Sequence, residues 1–186
     1  MQHLDLINLF KEKAEAVQAI VSKINNMLDA FLYTVDLTRE QGSKTVVATG
    51  LSAEEQALLK KQCETFNLRL LEFPLRSYAN EIHTSLTVVD WGVAETGTLV
   101  LDSSPEDVRI ATMLAETQIA VLPVTKIKLK ATDLEGELNA ILKKETPSYT
   151  AFITGASRTA DIERVLAIGV HGPQELHILL LEENQT

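Results

Sequence analysis

The sequence predicts an α/β protein, three-layer α/β/α with a mostly parallel sheet, on three observations. Short apolar runs of strand length alternate with helix-spaced segments along most of the chain. Lys44 to Ala48, Ser52 to Phe66 and Leu68 to Phe73 read as strand, helix and strand, a unit too long for a hairpin, which calls for parallel strands joined by a right-handed crossover. The run Leu176 to Leu181 has His177 as its one polar interruption, as expected of a strand covered on both faces. At 186 residues the chain fits one domain that buries roughly 70% of its unfolded surface. Residues 1–42 read as an amino-terminal helical region and 43–186 as the α/β core.

Apolar residues recur at helical spacing from Leu4 to Phe31. Within that span Val17-Gln18-Ala19-Ile20-Val21 is β-branched enough to be a strand, and periodicity does not arbitrate so short a run; the reading taken is helix, strand, helix. Ser52 followed by Glu54 and Glu55 marks a helix start. Cys63 falls on the buried side of that helix and reads as a core residue rather than a nucleophile. Ser77 to His83 is loop or short helix. Two apolar runs then flank Glu95-Thr96-Gly97, a strand pair hinged by a polar turn in which glycine supplies a conformation other residues resist. Trp91 reads as packing or as a pocket wall. A helix over Pro105 to Ala115, a strand over Ile119 to Val124, a helix over Asp133 to Lys144 and a strand over Tyr149 to Ile153 follow. Between the helices, Lys126, Lys128 and Lys130 alternate with apolar residues like a solvated strand edge or loop, to which no function is given.

The stretch from Tyr149 to Leu181 carries the candidate site. The strand ending at Ile153 turns at Gly155 and enters Ser157 to Glu163, which has the spacing of a helix start. Ligands of open α/β sheets bind outside the carboxyl ends of strands, and first-turn N–H groups favour an anion that the forked donor of Arg158 suits. The competing reading makes Ser157 an N-cap, with Arg158 paired to Asp161. Glu95 is either a general base, nucleophile or substrate acceptor, or a solvated turn residue. His171, between Gly169 and Gly172, is an acid/base group or a helix cap.

Composition excludes several classes. A net charge of -9 and a pI of about 4.9 oppose a polyphosphate partner. One cysteine forms no internal disulfide and holds no iron–sulfur cluster or structural zinc. His3, His83 and His177 share no ligand spacing, so no metal site is expected. Neither a signal peptide nor a membrane span is read, and the expected location is cytoplasmic.

Two segments, Asp90 to Leu101 and Ile153 to Glu163 continuing to Gly169-Val170-His171-Gly172-Pro173, resemble the signature segments of the lactate utilisation (LUD) domain, in the LutC/YkgG family. The resemblance runs from about Lys44 to Leu181 and is thin over the first forty residues. It implies a single LUD domain over 1–186, with a sheet similar to the ribose-5-phosphate isomerase, glucosamine-6-phosphate deaminase and CoA-transferase group. It also implies a part in oxidising L-lactate to pyruvate beside iron–sulfur and cysteine-rich partner subunits, with no cofactor in this chain. Carried onto this sequence, the pocket comprises Glu95 and His171 as catalytic candidates, and Thr96, Gly97, Gly155, Ser157, Arg158, Thr159 and Asp161 around a small anionic ligand. The family pattern leads us to expect proline where Ala156 stands, and a Pro and a His near Ala115 and Gln118.

Three functions compete on this reading. The chain is an accessory subunit of a lactate-oxidising system, a free-standing enzyme on a phosphorylated or CoA-thioester small molecule with Glu95 as base or nucleophile, or an interaction module. In the last, a detached amino-terminal helix would support a homo-oligomer.

Overall fold

In a computed structural model the described residues are 3–143, 147–159, 167–168 and 172–182. The amino-terminal region alternates as expected: α1 (His3–Ala16), β1 (Ile20–Ile24) and α2 (Met27–Glu40). The strand starts three residues later than the β-branched run, because Gln18 takes a positive φ of 66° in the connection. Asn26 caps α2 by accepting from the Asp29 N–H at 3.0 Å. The strand–helix–strand unit is β2 (Thr45–Thr49), α3 (Ala53–Thr65) and β3 (Arg69–Leu70), with β2 and β3 parallel. Ser52 and Glu55 close a capping box at the start of α3, so two orphan N–H groups are satisfied at once. The second strand is only two residues long, shorter than the apolar run to Phe73.

A 3₁₀ turn at Leu75–Tyr78 leads to β4 (Thr84–Val88), then to the hairpin of β5 (Trp91–Val93) and β6 (Thr98–Asp102), antiparallel as read from the sequence. Next come α4 (Glu106–Leu114), capped by Pro105, and β7 (Thr117–Pro123). The lysine-rich segment contributes the edge strand β8 (Ile127–Lys128), and the following helix divides into a 3₁₀ turn, Ala131–Leu134, and α5 (Glu135–Leu142). The chain continues through β9 (Thr150–Ile153), the short β10 (Arg158–Thr159) and β11 (Ala167–Ile168), and β12 (Glu175–Leu181).

Six strands form one parallel sheet in the order β1-β12-β7-β4-β2-β3. Helices α2 and α3 cover one face, meeting Ile119, Val121 and Leu179. The other face carries α1 and α4 together with a second sheet, ordered β8-β5-β6-β9. Phe10 and Ala14 of α1 are fully buried against Leu122, Leu176 and Leu99, so this helix is part of the core and is not detached. Outside the second sheet, Leu134 and Leu138 pack on Val93, Val100 and Trp91, which gives the tryptophan its packing role.

The structure corrects two expectations. Arg158 and Thr159 are not the first turn of a helix: they pair antiparallel with Ile168 and Ala167, which places Ser157 ahead of a strand and removes its N-cap role. The rest of the expected helix start, 160–163, lies outside the described residues. Strand β9 also does not end on the carboxyl side of the parallel sheet. It runs antiparallel to β6 in the second sheet, so the loop after Ile153 is carried elsewhere.

Gly97 and Gly136 form a contrasting pair. A Cβ on Gly97 (φ 63°) would stand 2.2 Å from the Ala14 nitrogen, inside the α1 backbone, whereas nothing lies within 4 Å of one on Gly136. Gly97→Ala is expected to destabilise the fold by more than about 2 kcal/mol, and Gly136→Ala to stabilise it by about 0.5 kcal/mol, in denaturant unfolding.

Burial pushes the Cys63 thiol from 9.0 up to about 11, with Glu64 adding to the rise. Its reaction with a thiol reagent at pH 8 is expected to be at least about a hundredfold slower in the folded than in the unfolded chain. Because the folded value is the higher one, the stability tied to this group is complete below pH 9.0 and declines as pH rises through about 11. Cys63→Ala, compared by unfolding at several pH values, should remove that decline.

Candidate functional site

Strand β9 delivers its turn, 154–157, over the amino ends of β7 and β12. Gly155 (φ 74°) allows the turn to touch the α1–β1 connection: a Cβ there would lie 2.5 Å from the Val17 carbonyl oxygen. The Ser157 N–H donates to the Pro173 carbonyl at 2.8 Å. Gly172 (φ 92°) passes so close that an added Cβ would lie 3.1 Å from the Ser157 side chain. The two polar turns of the 149–181 stretch therefore meet. With the last turn of α4 and Phe152 they enclose a cleft of about 540 Å³, floored by Gln118 and Leu176.

Gln118 sits on the second position of β7, facing the same side as Ala120 and Leu122, and is 1% exposed. Its in-register neighbours are Ser85 on β4 and Leu176 on β12. The nearby hydroxyls are mutually satisfied: Ser85 Oγ and Thr87 Oγ1 are 3.2 Å apart, and Thr49 Oγ1 donates to Thr87 Oγ1 at 3.1 Å. Gln118 Nε2 is different, a buried donor with no hydrogen-bond partner among the described residues. Leaving such a group unpaired costs about 1–3 kcal/mol, so its persistence in a cleft floor marks a place for an acceptor outside the described residues.

The described residues that line the cleft are uncharged. Its rim is apolar, with Met113 61%, Leu114 46% and Phe152 52% exposed. Arg109, at the base of α4, is occupied with the scaffold: Nη1 donates to the Ser103 and Ser104 carbonyls at 2.6 Å, and the guanidinium lies 5.0 Å above the Tyr149 ring centroid. These bonds fix the β6–α4 loop against the start of β9.

Of the residues singled out from sequence, Gly155 and Ser157 line the cleft. Glu95 does not; it is exposed, and its N–H donates to the Leu129 carbonyl at 3.0 Å, which ties the hairpin turn to the segment after β8. Gly97 serves close packing on α1. Thr96 is connected to the cleft indirectly: its hydroxyl and that of Thr98 are 2.7 Å apart, and Thr98 is 2.7 Å from the hydroxyl of Thr154, a lining residue. Arg158 and Thr159 continue the chain from Ser157 as the backbone of β10. Asp161 and His171 lie outside the described residues. Gln118, which the sequence marks only as a departure from the family pattern, is the residue that the structure adds to the cleft. Its signal was position, since a glutamine two residues ahead of Ala120 and four ahead of Leu122 shares their buried face once the strand is started at Thr117.

Other ionisable groups are accounted for structurally. His177, buried on the face under α2, lies between the Tyr33 hydroxyl (2.7 Å from Nδ1) and Glu175 Oε2 (3.0 Å from Nε2). Burial first, then Glu175 and Glu40, raise the Tyr33 phenol. Among the described residues no group of three or more His, Cys, Asp or Glu is placed to hold a metal ion, and no helix is long and apolar enough to cross a membrane.

Comparison with known proteins agrees with the architecture. A DUF162 family protein of Deinococcus radiodurans superposes with a TM-score of 0.67 at 15% identity, over 97% of this chain and 99% of that one, which shows the shared fold. Lactate utilization protein C of Bacillus licheniformis is 33% identical over 111 residues, 56% of this chain and 45% of that protein. The uncharacterized protein YkgG of Escherichia coli is 27% identical over 156 residues, 80% of this chain and 68% of that protein. The chain thus spans about half the length of the lactate utilization protein C relatives it matches. The sequence model of the LUD domain matches residues 7–181, and with that span, nearly the whole fold from α1 to β12, the chain belongs to the LUD domain family.

Proposed function

We propose that this chain serves lactate utilisation as a subunit that holds a small carboxylic acid in the cleft between α4 and the 154–157 turn, while electrons leave through iron–sulfur and cysteine-rich partner proteins. The observation that carries this reading is the unpartnered Nε2 of Gln118 at the cleft floor, a donor suited to a carbonyl or carboxylate oxygen. Thr154 and Ser157 flank it. Arg158, next in the chain, is assigned the charge that offsets the acid's, with Thr159, Asp161 and His171 completing the site from the same stretch. Support for lactate as the chemistry comes from relatives named lactate utilization protein C.

Oxidising L-lactate to pyruvate removes two electrons and two protons. The one cysteine, Cys63, is buried with its thiol value pushed up to about 11, and one thiolate holds no iron–sulfur cluster, so this reading takes the electron acceptor from a partner. The chain's part is then binding and orientation: Gln118 fixes the oxygen end of the acid, and the Thr96–Thr98–Thr154 hydroxyl chain holds the turn above it. A free-standing enzyme with Glu95 as base would need that carboxylate at the cleft, and Glu95 is not among its lining residues.

Thermal unfolding with L-lactate and pyruvate tests the reading. A ligand at about ten times its dissociation constant stabilises the native state by roughly 1.4 kcal/mol, a shift of a few degrees for a domain of this size. The shift is expected in the wild type and is expected to vanish in Gln118→Met and Arg158→Ala. Lactate oxidation at a normal enzymatic rate by the purified chain alone would overturn the subunit role.

A further inference from the structure

We propose that the cleft takes acids larger than the three-carbon ones as well, and takes them more tightly: 2-oxo acids whose side chain is a bulky apolar group, branched aliphatic or aryl. The inference rests on the reading above that the cleft takes a carboxylic acid at Gln118, and it names the class of acid. Size is the first argument. The cleft measures about 540 Å³, and pockets of about 300–1,000 Å³ enclose ligands of drug size, so a three-carbon acid would leave most of it to water.

Polarity is the second argument. Gln118 Nε2, the buried side-chain donor left without a partner among the described residues, belongs to the floor, whereas the mouth is formed by Met113, Leu114 and Phe152, three large apolar side chains about half exposed. A ligand with an oxygen at one end and an apolar body behind it matches that gradient: the 2-oxo oxygen accepts from Gln118, and the side chain covers the rim and removes its apolar surface from water. A three-carbon acid reaches the donor and leaves the rim wet. The rim belongs to separate elements, α4 and β9, whose relative position is locked by Arg109 bridging the β6–α4 loop and Tyr149. The apolar wall is therefore pre-formed rather than assembled on binding.

The test is titration calorimetry of the full chain with pyruvate, 2-oxobutyrate, 4-methyl-2-oxopentanoate and phenylpyruvate, on the wild type, Phe152→Ser, Met113→Ser and Gln118→Met. Affinity is expected to rise about fourfold for each methylene the cleft buries. Either rim variant should weaken the two bulky acids about fivefold or more and leave pyruvate nearly unchanged, since half-exposed side chains at the mouth touch only a long ligand. Two rim variants on different elements guard against one of them failing to fold, which far-ultraviolet circular dichroism checks. A flat or falling series with pyruvate binding that still depends on Gln118 overturns the size proposal and leaves the carboxylate reading standing. Binding of the bulky acids but not of pyruvate supports the proposal and removes lactate chemistry from the site. Rim variants that leave every affinity unchanged overturn it, as expected if that surface docks a protein, and binding of none of the acids overturns both readings.

Discussion

The carboxyl end of α1 is the fixed point against which the rest is set. Two turns from distant parts of the chain, 94–97 and 154–157, press glycines onto it so closely that a Cβ would fall 2.2 Å from the Ala14 nitrogen in one case and 2.5 Å from the Val17 oxygen in the other. No side chain fits between backbones at that distance. The hairpin behind the first turn is held down equally tightly: a Cβ on Gly92 would meet Leu122 at 2.7 Å and Phe10 at 3.0 Å. Close-packed interiors do not stretch to admit an added methyl, so these glycines fix how far the second sheet stands from the first.

That spacing creates the cleft. Because the second sheet is clamped on α1 and Leu122, β9 leaves it above the amino ends of β7 and β12, and α4 closes the opposite side. The hydroxyl chain from Thr96 through Thr98 to Thr154 couples one clamped turn to the other by bonds of 2.7 Å. Signature residues such as Gly97 and Thr96 thus shape the site without lining it. The floor follows from the same geometry, for Gln118 is covered by its neighbours yet faces the gap, which keeps its donor oriented and dry.

Much of this was legible in the sequence for identifiable reasons. The capping box at Ser52, the one interruption in Leu176 to Leu181 and the polar hinge at Glu95 to Gly97 are local signals, and each element formed where its local chemistry placed it. The turn at Gly155 lines the cleft. What failed were inferences that depended on partners distant in sequence. Ser157 followed by acidic residues reads as a helix start, but Arg158 and Thr159 find a ladder with Ala167 and Ile168, and pairing outweighs propensity over so few residues. Local signals do not reveal that β9 joins β6, so the loop after Ile153 reads as lying at the carboxyl ends of the parallel sheet, whereas it lies over the amino ends. Gln118 stands out in the sequence only against the family pattern, because a strand started at Ile119 leaves it outside the pleat that determines its face.

Charge then constrains how an acid would be held. The chain carries a net -9, yet acidic groups more than about 8 Å from the cleft are largely screened at physiological ionic strength, and the described lining residues are neutral. The overall charge therefore sets little of the local field. Moving a carboxylate from water into a neutral cleft is costly unless several donors receive it, and a single amide does not supply enough. The oxygen nearest Gln118 is better matched to a neutral carbonyl, with the charged end turned toward the 154–157 turn and the chain that follows it into Arg158. A 2-oxo acid has those two oxygens on adjacent carbons, so on this reading one ligand meets a buried amide with one and the 154–157 turn with the other, with its side chain left to the apolar rim.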